Sequence, residues 1–431
     1  VRALALIDGE HYPEVVRDAL AALPYEVVGA VMLGGDEKLD EGGADYGVPV
    51  WDELADALAA AGAEIVVDLS DEPVVDSRRR FRLAARSLAA GLPYVGADFR
   101  LEPVRFSPLD RPALAVIGSG KRVGKTAVAG HVARLLAGSR EVVVVAMGRG
   151  GPSEPVVVDT PPSVADLLAL SRGGAHAASD YLEDAALAGV VTVGARRCGG
   201  GLAGQPFFDN VAEAARIAAA RGPDLVLLEG SGAAVPPVEA GRRILVASAA
   251  QEPEIVAGYL GAYRLLLSDL VVLTMCEEPL ASPERIAAVR AAIAEVDPGL
   301  PVVATVMRPR PVEAVAGRRI AFFSTAPAEI ADRLRDHVSR AHGAEVVMVS
   351  TSLARRAELR AELASAAARD AEAYVVEIKA AAVDVVAEVA DERGIPLVFA
   401  DNEVLPLPGE ADLDALTVAL ADDVTAAKVA A

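Results

Sequence analysis

The stretch Gly118-Ser-Gly-Lys-Arg-Val-Gly-Lys-Thr126 decides how this chain is read. It follows the apolar run LAVI, Leu114–Ile117, and leads into AVAGHVARLLA, Ala127–Ala137, whose apolar spacing predicts a helix. Strand, glycine loop and helix in that order are the context a phosphate-binding loop requires. Gly118, Gly120 and Gly124 let the backbone curl around an anion, and the amides at the helix start then point at phosphates. Lys125 is placed to reach the β- and γ-phosphates of a nucleotide, and the Thr126 hydroxyl to meet Mg2+. The pattern G-x-x-x-x-G-K-T is met with one shift: Ser119 holds the first glycine position and Gly118 stands one place early.

On either side of this loop the chain alternates strand-like and helix-like runs, which predicts an α/β fold with a mostly parallel sheet. Before it, RALALID, EVVGAVML, AEIVVDL and PYVGA read as strands, with helices near 13–22, 51–61 and 75–90. The segment LEPVRFSPLDRP, residues 101–112, is too rich in proline for a regular element, so a first unit, Rossmann-like, is expected over 1–110. The loop unit, 111–317, carries ALAVIG, EVVVVAM, DLVLLEG, RILVASA, DLVVLTM and PVVATVM, and its ligand is expected at the carboxyl ends of these strands. Residues 318–431 add RIAFFST, AEVVMVS, AYVVEIK and PLVFADN, either as a third α/β unit or as a continuation of the same sheet.

Composition narrows the partners. The chain has 431 residues, 53% of them apolar, and a formal net charge of −21. That charge repels nucleic acid and anionic membranes, so a polyanionic ligand must be held by local basic clusters. No apolar run reaches membrane-spanning length, and the first residues lack the pattern of an export signal, so a cytoplasmic protein is expected. The two cysteines, Cys198 and Cys276, cannot form a disulfide framework and are expected as free thiols. His131, His176, His337 and His342 lack metal-ligand spacing.

Further site candidates follow from position. Glu229 ends DLVLLEG and opens a glycine loop, GSG, where a carboxylate faces the nucleotide and can bind the metal. Asp159 is a weaker metal candidate, since it also suits a cap on the helix after Pro161 and Pro162. Arg149, a single charge among Gly148, Gly150 and Gly151, reads as a clamp near the γ-phosphate; Arg196 and Arg197, before a triple glycine, read as receivers of a polyanion. Asp8, Glu10 and His11 follow the first strand, at the end where an α/β domain places a ligand, though capping explains acids there equally well. The arginine-rich run 78–86 is better explained as a solvated helix face than as a phosphate site. No N-K-x-D signature for guanine follows the later strands, which favours ATP.

The shifted loop, with a small residue after the leading glycine and an acid followed by Gly-x-Gly downstream, resembles that of dethiobiotin synthetase and its relatives. Taken with ALIDGEHYPEVV, AMGRGGP, VGARRCGGGLAG, LLEGSGAAVPPV and FFSTAP in this order, the chain resembles the cyclic 2,3-diphosphoglycerate synthetases over nearly its whole length. The resemblance implies a P-loop NTPase core and an ATP- and Mg2+-dependent ligase. It also implies the reaction: closing an intramolecular phosphoanhydride in 2,3-diphosphoglycerate with release of ADP and phosphate. In that reading Lys125 and Arg149 are catalytic, and Arg149, Arg196, Arg197, Asp8, Glu10 and His11 bind substrate. Gly118, Gly120, Gly124, Lys125 and Thr126 hold the nucleotide, and Thr126, Glu229 and Asp159 the metal. A homodimer is expected. The alternatives are another dethiobiotin synthetase-like ligase acting on a less anionic acid, and a nucleotide switch or metallochaperone, which would commonly carry Cys/His metal motifs that this chain lacks.

Overall fold

The computed structural model describes residues 1–35, 45–173, 179–378 and 382–430; His176 lies outside them. In the first hundred residues, β1 (Arg2–Ile7), β2 (Glu26–Met32), β3 (Val50–Trp51), β4 (Ile65–Asp68), β5 (Tyr94–Val95) and β6 (Arg100–Leu101) form one sheet in the order β3-β2-β1-β4-β5-β6. All pairs are parallel except β5 with β6, and the strand order is that of a Rossmann sheet.

The remaining strands make one larger sheet. They are β7 (Ala113–Gly118), β8 (Val142–Gly148), β9 (Val156–Val158), β10 (Val191–Cys198), β11 (Phe208–Asp209), β12 (Leu225–Glu229), β13 (Arg242–Ser248), β14 (Leu270–Thr274), β15 (Val302–Pro311), β16 (Arg319–Phe323), β17 (Glu345–Ser350), β18 (Ala373–Glu377) and β19 (Leu397–Pro406). Their order is β11-β10-β8-β12-β7-β13-β14-β15-β19-β18-β16-β17, with β9 on β10. Every residue of β7, β8, β12 and β14 is buried, as expected of parallel strands covered by helices on both faces. Each fully buried Val or Leu among them is worth about 1.5–3 kcal/mol.

β15 ties the third segment to the second. Its first half runs parallel to β14, and its second half, Thr305–Pro311, runs antiparallel to β19. The parallel strands β16, β17, β18 and β19 therefore run against the central ones. Their carboxyl ends point back toward the phosphate-loop side of the sheet. Leu167, Leu168, Leu182 and Leu187, from two helices of the loop unit, share one core with Phe323, Tyr374 and Val376.

The first sheet docks through the helix Ser77–Ala89 on the helix Gly261–Leu266, with Phe81 edge-on to Tyr259 at 5.5 Å. The arginine run serves this architecture. Arg78 pairs with Glu254 at 3.1 Å and Arg82 with Glu295 at 2.6 Å, Arg79 caps Val74 and Leu33 carbonyls, and Arg80 holds Asp68.

Candidate active site

The phosphate loop is braced from three sides. The Ser119 amide donates to Val246 O at 2.9 Å, its hydroxyl donates to Gln251 Oε1 at 2.6 Å, and Thr274 Oγ1 donates to Val123 O at 2.8 Å. Gly118 is required by close approach, because a Cβ there would stand 2.7 Å from Gly232 O. Gly124 has φ +82° and opens the helix Lys125–Ala137, a conformation that costs glycine little. The helix start then offers free amides and a partial positive charge to an anion.

Lys125 forms an ion pair with Glu229, which ends β12 and is 1% exposed. β12 lies directly beside β7, with Glu229 level with Val116, and this register brings acid and loop lysine together. Asp184, from the helix Asp180–Ala188, completes the cluster and was not singled out in the sequence. Both of its carboxylate oxygens, and Glu229 Oε2, are buried without a hydrogen-bond donor. Burial first, and then the Glu229 charge, push the Asp184 carboxyl well above its ordinary range. Burial opposes charge on Glu229 as well, but the Lys125 charge, together with hydrogen bonds from Lys125 and Thr126, outweighs it and holds Glu229 below the usual range.

These orphaned oxygens test whether a cation fits. Thr126, Glu229 and Asp184 supply hard oxygen donors at the foot of the loop, the chemistry Mg2+ prefers. Among the described residues no three His, Cys, Asp or Glu side chains gather to hold a metal by themselves. A cation here would thus draw its remaining ligands from phosphate and water.

Facing this cluster are two arginines. Arg197 is 8% exposed, and its guanidinium donates to Ser231 O and Gly199 O, each at 2.7 Å. Arg149, exposed after β8, has its Nη2 3.2 Å from the Cβ position of Gly232, and Arg197 Nη2 is 3.5 Å from the same point. Burial, and then the charge of Arg149, lower the Arg197 pKa. Two cations held against one glycine loop make a site for a doubly charged anion.

Other candidates lie apart. Arg196 and Arg197 sit in β10 rather than in a glycine loop, so the pleat sends them to opposite faces. Arg196 lies 5.5 Å over the Phe208 ring, and its Nε is buried without a partner. Asp159 follows β9, whose Val158 pairs with Thr192 near the start of β10; this is the opposite end of the strands from Glu229, and its partner there is Arg221. The structure does not bring Asp159 to the loop. Asp8 belongs to the other sheet. Its buried carboxylate accepts from His11 Nδ1 at 2.8 Å, Glu10 N at 3.0 Å and Asp71 N at 2.7 Å, which shapes the turn after β1.

On the far side of β7, the turn after β14 is held to the rest of the chain. Glu277 accepts two hydrogen bonds from Arg308, at 2.6 and 2.7 Å, and one from Arg333 at 3.0 Å. Cys276 is buried beside it, which pushes its thiol up to about 11, and Cys198 is exposed; both are free thiols.

The chain matches three family models along its length. Residues 2–102 match the N-terminal domain of cyclic 2,3-diphosphoglycerate synthetase, 113–306 its P-loop domain and 311–403 its C-terminal domain. A cyclic 2,3-diphosphoglycerate synthetase from Rubrobacter xylanophilus is 53% identical over 421 residues, covering 94% of each chain. Those of Thermococcus gammatolerans, 45% identical over 94% of each chain, and Methanothermus fervidus, 41% identical over 93% of this chain and 92% of its own, are similar throughout. With the phosphate loop, its buried acids and the facing arginines inside the matched segments, the chain belongs to the cyclic 2,3-diphosphoglycerate synthetase family.

Proposed function

We propose that the protein closes the intramolecular phosphoanhydride of 2,3-diphosphoglycerate at the cost of ATP, giving cyclic 2,3-diphosphoglycerate, ADP and phosphate. The observation that carries this reading is the pair Arg149 and Arg197 converging on Gly232, beside a loop lysine already set against Glu229. The loop amides and Lys125 bind the nucleotide phosphates and stabilise charge developing on the transferring γ-phosphoryl. Arg149 and Arg197 hold the acceptor so that one of its phosphate oxygens faces that phosphorus. The new P–O bond forms as the bond to ADP breaks. The neighbouring phosphate of the same glycerate then attacks the activated phosphorus and expels inorganic phosphate, a step made effectively unimolecular by proximity. Phosphate oxygens are already anionic at neutral pH, so the sequence needs no strong base.

Thr126, Glu229 and Asp184 would hold Mg2+, which supplies charge neutralisation between the β- and γ-phosphates when bound. Gly118, Gly120 and Gly124 serve the nucleotide, and Arg196 braces the acceptor strand. Asp8, Glu10 and His11 are retained as a substrate-side element only through the first domain's docking. We assign three units, 1–110, 111–317 and 318–431, supported by the closure of the first sheet within residues 2–101. A homodimer in the cytoplasm completes the reading; no helix among the described residues is long and apolar enough to cross a membrane.

The test is ADP release with Mg-ATP, with and without 2,3-diphosphoglycerate, while phosphorus NMR follows the cyclic product. Acceptor-dependent release with that product is expected. Turnover indifferent to the acceptor would overturn the assignment.

A further inference from the structure

The crown of the phosphate loop carries two cations that the reaction above does not use. Lys121 and Arg122 are both exposed, and neither is tied to a carboxylate of the described residues. Arginines elsewhere are committed to carboxylates: Arg80 to Asp68, Arg134 to Asp401, Arg308 to Glu277. Arg122 also holds φ +63°, in the left-handed region, where a side chain costs on the order of 1 kcal/mol or more that glycine would avoid. Glycine occupies loop positions on both sides, Gly120 and Gly124, so a large cation at this strained place calls for a reason.

Charge counting supplies one. An acid bearing two phosphates and a carboxylate carries on the order of four to five negative charges. Arg149 and Arg197, side by side over Gly232, match one phosphate dianion. Lys125 is committed to Glu229 and the nucleotide. In a chain of net charge −21 the second phosphate must find its own local cations. The 230–233 turn packs against the base of the same loop, with Gly232 O 2.7 Å from the Cβ position of Gly118, where the loop begins.

We propose that Lys121 and Arg122 receive the second, non-attacking phosphate of the acceptor, and so make the site selective for doubly over singly phosphorylated acids. This rests on the synthetase reading and names two positioning residues for it. The crown orients the acceptor, while Arg149 and Arg197 hold the phosphate that attacks.

Arg122→Gly removes the guanidinium and relieves the backbone strain, and Lys121→Gln removes the other charge at an exposed position, so the fold is not at risk. In the double variant, the KM for 2,3-diphosphoglycerate should rise at least about tenfold, while the KM for ATP moves by less than about twofold. The inhibition constant of 3-phosphoglycerate, which has one phosphate, should stay within about threefold, and Lys121→Arg should retain the parent KM. An unchanged acceptor KM, or an ATP KM that rises in step with it, overturns the proposal. Failure of the synthetase reading shows separately and earlier, as parent protein whose ADP release ignores the bisphosphate.

Discussion

Asp184 and Glu229 meet as two buried carboxylates behind Lys125, with only one lysine between them. Two like charges so placed oppose each other's ionisation, and a bound cation relieves that opposition. Asp184→Asn keeps the shape and removes one hard donor. The Mg2+ concentration for half-maximal turnover is expected to rise about 10–100-fold, with the ATP-binding loop intact. Turnover measured against Mg2+ at fixed ATP reads this, and an unchanged midpoint would remove Asp184 from the cation site.

Lys125→Ala takes away the cation paired with Glu229, which the proposed reaction sets against the transferring phosphoryl. Turnover is expected to fall by about 10³-fold or more, in line with the loss of a principal transition-state charge. Glu229 then keeps Thr126 as a hydrogen-bond partner, so far-ultraviolet circular dichroism should remain that of the parent. A folded variant with undiminished turnover would contradict the loop assignment.

Arg149 and Arg196 separate binding from bracing. Arg149 is exposed and contributes little to the core, so Arg149→Ala is expected to leave stability within about 0.5 kcal/mol and lower kcat/KM for the acceptor by about 10²-fold. Arg196→Ala strips the cover from Phe208 on the other face of β10 and should cost less than about tenfold in the same assay. Steady-state kinetics with urea unfolding on both variants distinguishes the two roles.

Much of this arrangement was legible from local pattern, and what was missed depended on register. Continuous apolar runs announced β7, β8 and β12 to β14 because parallel strands are buried on both faces. β10 was hidden by Gly194 and the Arg196–Arg197 pair, which read as loop residues. Only its neighbours β8 and β9 make it a strand and send the two arginines apart. Asp184 was equally hidden. An acid between Leu182 and Ala185 on the buried side of a short helix is a signal of a site, but the run reads as an ordinary helix until Glu229 is seen to lie against it. Asp159 shows the converse error: offered as a metal candidate beside a helix start, it follows β9, which runs antiparallel to β10 and delivers it to the wrong end.

His337 gives the fold a pH dependence whose sign is fixed. It packs edge-on against His342 at 5.6 Å and stands 3.9 Å from Glu403. Burial, with repulsion from His342 and Arg308, lowers its pKa despite the attraction of Glu403. The unfolded chain, with a histidine near its usual value of about 6.5, therefore binds more protons than the folded one below that pH. The stability this site contributes is complete above about pH 7 and is lost as pH falls below about 6.5. The urea midpoint should drop between pH 7.5 and 5.5, and His337→Gln should flatten that drop.

Glu277 is where the turn after β14 is fastened to the third segment. Arg308 holds it with two hydrogen bonds from β15, and Arg333 reaches it from the helix Ala331–His342. The Glu277 and Arg308 side chains are only 14% and 16% exposed, so their charges are screened weakly. Burial raises the cost of the Glu277 charge, but the two arginines more than offset it and hold its carboxyl below the ordinary range. Glu277→Gln removes the charge and leaves Arg308 half-buried without its partner. The loss is expected to be about 2 kcal/mol in urea unfolding, the size of a charge-assisted hydrogen-bonded pair. Because Thr274, three residues earlier, also pins Val123 of the phosphate loop, loosening this turn should raise the KM for ATP more than that for the acceptor. A variant that loses stability with both KM values unchanged would show that the turn braces the fold without touching the nucleotide site.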